Sequence, residues 1–231
     1  ATTAVFGVEM GSTVADTAIT LDDVAIASTG GVGVSFAAAV TGASTISIND
    51  LVVGGAPAAH CVIFNGAVAG AVSIAGGSLA TPSAGDSALC FLGAVTAAAT
   101  LAHIAVTSTH WGVDFAGGVQ GALTIKDLVS TTTGRALSIG SMTGATITIS
   151  GGTYSGVSDF TVHIPDVDSA STVKISGATL QSSGHNALRL RAVAGSVDVS
   201  KCTLVTTNPG STALYAGGAI SAAVTVSDST V

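Results

Sequence analysis

Nine times along this chain the same four positions return in the order a-x-b-x-x-c-x-d, from Ile19/Leu21/Val24/Ile26 through Ile46/Ile48/Leu51/Val53 to Val224/Val226/Ser229/Val231. Successive copies begin 24 to 27 residues apart. Between copies lies a second block: an apolar residue, one spacer, a larger apolar residue, and a third apolar residue three or four positions on. Eight rows of it run from Val34/Phe36/Val40 to Leu214/Ala216/Ile220. A period of this size constrains the architecture before any single residue is weighed, because one unit cannot bury its apolar face alone and must stack on its neighbours.

Within each copy the apolar residues alternate with period two, in runs of three to five residues, which is strand spacing and leaves no room for a helix of ordinary length. The expected fold is therefore all-β: a single-stranded right-handed parallel β-helix of about nine coils of 24–27 residues, forming one domain over 1–231. The hand follows the general preference for right-handed crossovers. Nine coils at the strand spacing give a rod about 43 Å long. Phe36, Phe64, Phe91 and Phe115 share one column and should form an internal ladder. Segments such as GGAPAAH (54–60), ATPSAGDS (80–87), TTTGR (131–135) and VTTNPGS (205–211) carry the length variation and should line one edge of the rod. With 48% apolar and only 8% charged residues, the chain lacks the composition of a disordered one.

At the start, Val8/Met10/Val14 already fit the second block, and at the end Val231 occupies a d position. If another copy of the chain followed, its Val8 would fall at the spacing the repeat itself uses. No capping segment is evident, so the expectation is a piece of a longer β-helix or a protomer that stacks head to tail. The end-to-end interface would be Val8, Met10 and Val14 on one tip and Val224, Val226 and Val231 on the other. A contact of that kind does not close and generates a fibre.

The coil pattern resembles the right-handed parallel β-helix of the pectate-lyase-like superfamily. The Ala/Val/Ser/Thr bias and coils such as VDVSKCTLVTT (197–207) look like the repetitive surface proteins of the trypanosomatid dispersed gene family type. This resemblance implies an extracellular or cell-surface adhesive role and carries no catalytic residue across.

Chemistry is sparse. Acidic side chains are scattered over Asp22, Asp23, Asp50, Asp114, Asp127 and Asp198, and the only dense group is His163, Asp166, Asp168, His185, Arg189 and Arg191. Alternation in VHIPDVD and LRLR points His163 and Arg189 outward in neighbouring rows. A carbohydrate-active lyase or hydrolase would have to use Asp166 and Arg189 there. The histidines lack the spacing of metal ligands. Cys61 and Cys90 are offset by two positions and Cys202 sits inward, so no disulfide framework is expected. We expect no catalytic residue, metal or cofactor. The most regular polar feature is an outward column between a and b: Thr20, Ser47, Ser73, Thr100, Thr124, Thr148 and Thr225, interrupted by Lys174 and Asp198. Such a ladder is either cross-strand hydroxyl pairing or an array that docks on an ordered surface, ice or a packed polysaccharide. A net charge of −7 argues against nucleic acid as partner. No apolar window is long enough to span a membrane as a helix, and the N-terminal residues do not read as a targeting segment.

Overall fold

The computed structural model describes residues 7–28, 30–55, 59–81 and 83–231. Parts of the segments 54–60 and 80–87 therefore lie outside the described residues. Each turn adds one strand to each of three parallel sheets. Among the described residues the first sheet has nine strands, from Val8–Met10 and Val34–Phe36 to Leu214–Ala216; the second has nine, from Ala18–Asp22 to Val224–Ser227; the third has eight, from Ala25–Ser28 to Thr203–Thr206. Every interior strand pairs in parallel with its equivalents one turn before and one turn after, and the end strands with one, so the fold is a parallel β-helix. No helix is long and apolar enough to cross a membrane.

The repeat columns map directly onto the sheets. Positions a and b lie on the second sheet, where Ile19, Ile46, Val72, Ala99, Leu123, Ile147, Val173, Val197 and Val224 stack in register. The first two members of the second block lie on the first sheet. Their third members, from Val40 to Val167, form a column of single bridges at the corner leading to the second sheet. Because register repeats at the strand spacing, identical side chains meet face to face. Phe36, Phe64, Phe91 and Phe115 stack with centroids 4.4, 4.6 and 4.6 Å apart and planes within 4°. The expected ladder is present, and its column continues as Ile139, Ile164, Leu190 and Ala216. On the third sheet Tyr154 stands in register with Ser130, a large residue against a small one, and its hydroxyl is sealed with no hydrogen-bond partner.

The corner from the second to the third sheet is made by one residue per turn in the left-handed region. That column reads Asp23, Asp50, Gly76, His103, Asp127, Gly151, Gly177, Lys201 and Asp228, with φ between 48° and 69°. Asp and Gly tolerate this conformation best, so the scattered acidic residues of this column are turn formers. Neighbouring turns also share space: a Cβ on Gly76 would fall on the carboxylate of Asp50, and one on Gly151 on that of Asp127. Gly77 and Gly152, the two glycines that break the apolar c column, also adopt positive φ and lie against the backbone of the preceding turn.

Candidate functional site

The outward column of the first sheet runs in register through Glu9, Ser35, Ile63, Cys90, Asp114, Ser138, His163, Arg189 and Tyr215. An outward position on a solenoid is ordinarily wet. Here Ser35, Ile63, Cys90, Asp114 and Ser138 are all buried. Side chains from the loops that enter this sheet surround the column: Asp114 accepts a hydrogen bond from Ser138 and faces Arg135, His60 and His110. Burial raises the Asp114 carboxyl above its usual range despite those partners. Burial, with Asp114 and Asp86 nearby, pushes the Cys90 thiol up to about 12, and burial does the same to Cys61. Both thiols are therefore protonated at neutral pH and poor nucleophiles. Cys90 pairs in register with Ile63, two residues beyond Cys61, and all three cysteines are free. Cys202 is buried in the core, as its inward position implies.

The residues two positions before the rows of the second block supply the rest of the site. His60, Ser87, Trp111, Arg135, Phe160 and Asn186 hold that position, one per turn. Arg135 lies 4.8 Å from the Trp111 ring and 5.9 Å from Phe160, and its Nε donates to Asp159 at 2.8 Å. Arg189 stacks on the other side of the series, 4.0 Å over Phe160 and 5.9 Å from Tyr215. Trp111, Arg135, Phe160, Arg189 and Tyr215 thus form an alternating aromatic and cationic ridge over five successive turns. His110 stacks on Trp111 at 4.7 Å, and His163 and His185 flank Phe160 at 5.6 and 5.2 Å. Burial, reinforced by Arg135 and Arg189, lowers His163 to about 4, so it is neutral at pH 7. The Nδ1 atoms of His110 and His163 and the Nε of Arg189 are sealed without hydrogen-bond partners. Each such orphan costs about 1–3 kcal/mol.

Of the dense group expected from sequence, His163, His185 and Arg189 do converge, around Phe160. His163 and Arg189 are register neighbours. Asp166 pairs with Arg191 at 3.5 Å rather than with Arg189. Asp168 belongs to a different corner, where its carboxylate accepts the Gly144 N–H at 3.2 Å and the Ser171 hydroxyl. Trp111, Arg135, Asp159, Phe160 and Tyr215 were not anticipated. The signal that would have found three of them is their common offset from the repeat, which places them in one stack.

The hydroxyl ladder stands in register on the second sheet from Thr20 through Ser47, Ser73, Thr100, Thr124 and Thr148, then Lys174, Asp198 and Thr225. At the tips, Val8 and Met10 are half-buried, Val14 is buried, and Val224 is half-buried. Val226 and Val231 are 41% and 71% exposed. Along the third sheet runs a groove of about 410 Å³ lined by Thr107, Thr109, Thr131, Thr133 and Val157, among others. Among the described residues no group of three or more His, Cys, Asp or Glu is placed to hold a metal ion. No family model, curated protein or solved structure matches the chain.

Proposed function

We propose that this chain is a non-enzymatic structural and adhesive β-helix of the cell surface or extracellular space, which lengthens by stacking head to tail on a second copy. One observation carries the reading. The apolar columns that are sealed in the middle of the shaft run on into its outermost described turns, where Val226, Ile220 and Val231 are 41%, 44% and 71% exposed while interior members such as Ile125 and Val119 are 0% and 1%. Strand edges and apolar surface presented together favour continued parallel pairing. A second copy set on that tip would meet open parallel strand edges of all three sheets. The likeness of its coils to surface proteins of the dispersed gene family type supports the location, and the in-register hydroxyl ladder from Thr20 to Thr148 supplies a side face for adhesion. Sedimentation at rising concentration, followed by electron microscopy, tests the stacking. Rods longer than one protomer are expected; a single monomeric species up to the solubility limit would overturn the proposal.

A further inference from the structure

We propose that the outer face of the first sheet between Phe160 and Tyr215 is a binding site for a ring-bearing carboxylate, held by the guanidinium edge of Arg189 with its ring against Tyr215. Tyr215 lies on the outermost described strand of the first sheet, so the site is tested on protein dilute enough to be monomeric, where its outcome is separate from whether the tips stack.

The chain has three arginines, and the structure commits two of them. Arg135 is held by Asp159 at 2.8 Å and Arg191 meets Asp166 at 3.5 Å. Arg189 makes no ion pair among the described residues. Its flat face is occupied by Phe160 at 4.0 Å, with Tyr215 at 5.9 Å. Stacking fixes the plane of a guanidinium but leaves its charge uncompensated, and with the Arg189 Nε sealed the donors left to a ligand are those of the two terminal nitrogens. A fork of donors presented edge-on matches two oxygens in one plane, the geometry of a carboxylate.

The charge balance narrows the ligand further. His163, the register neighbour of Arg189, is neutral at pH 7 and contributes no second positive charge. One unpaired cation suits a monoanion, whereas a phosphate dianion would leave one charge unmet. The ring requirement comes from Tyr215, which is 42% exposed and offers a bare aromatic surface beside the guanidinium. A saturated sugar ring and an aromatic ring both satisfy it; the shared chemistry is a carboxylate on a flat apolar body.

The test follows the Arg189 side-chain N–H and Tyr215 ring resonances of the full chain by NMR while glucuronate, benzoate, glucose or sulfate is added. At least one of the two carboxylates should give saturable shifts at both residues, with a dissociation constant on the order of 1–10 mM. The tighter of the two identifies the ring as sugar or aromatic. Glucose and sulfate should each bind at least about tenfold more weakly. Arg189→Gln should abolish the shifts at Tyr215, Arg189→Lys should weaken them at least about fivefold, and Arg191→Gln should leave them intact. The proposal fails if neither carboxylate saturates, if glucose or sulfate matches the better carboxylate, or if Arg189→Gln retains binding with the ring stack intact by its ring-current shifts.

Discussion

The four stacked phenylalanines show how one residue type, repeated at the period of the fold, becomes a structural element. Phe91 has a ring against each face, Phe64 on one side and Phe115 on the other, and is fully buried. Phe91→Ala should destabilise the chain by about 3–5 kcal/mol, whereas Phe91→Leu, which keeps most of the volume, should cost less than about 1.5 kcal/mol; urea unfolding measures both. Tyr154 carries the opposite expectation. Its hydroxyl is buried without a partner, and burial holds its pKa above the usual value. Tyr154→Phe removes the orphan and keeps the ring, so it should be neutral or stabilising by about 1 kcal/mol. A clear loss of thermal stability in that variant would mean that the hydroxyl has a partner in solution.

At the level of strands, corners and loops, two groups tie stability to pH in ways that can be separated. His163 stays neutral in the folded chain down to about pH 4, while an unfolded histidine protonates near its ordinary value of about 6.5. As pH falls through that window the unfolded state takes up a proton that the folded state does not, so His163 lowers stability progressively toward acid. His163→Gln should flatten the drop in urea midpoint between about pH 7 and about pH 4.5; an unchanged slope would remove His163 as its cause. Asp168 acts lower on the scale. The Ser171 hydroxyl, then the backbone N–H groups of Gly144, Ala170 and Ser171, hold its carboxyl below the usual carboxylate value. The corner it fastens is therefore secure above that value and loosens once pH falls below it. Amide exchange at Gly144 should accelerate there beyond the intrinsic pH dependence, and Asp168→Asn should already show the faster rate at neutral pH. These elements also show what could be read in advance. Strands, inward columns and the aromatic ladder were legible because apolar residues recur with a short period and a long one at once. The left-handed column was visible as Asp and Gly, yet its residues read as scattered acids, since a turn conformation leaves no periodic apolar trace. Trp111 opens a strand while Arg135 and Phe160 sit in loops of different length, and only the stacking of turns gives their positions a common meaning.

For the molecule as a shaft, the tips set the behaviour. A lysine in place of Val226 would have to be buried unpaired for stacking to proceed, at a cost of several kcal/mol. Val226→Lys should accordingly weaken end-to-end association by more than about tenfold, while Thr124→Lys, on the exposed side face, should leave it unchanged in the same sedimentation series. Equal effects of the two substitutions would point to lateral contact. Stability along such a shaft is a sum of local contributions passed between neighbours, and the ring column distributes those contributions unevenly. After Phe115 it narrows through Ile139, Ile164 and Leu190 to Ala216. Heat or mechanical load should therefore peel this molecule from its carboxyl-terminal tip, one coil at a time, until the unravelling front meets the rings and stalls.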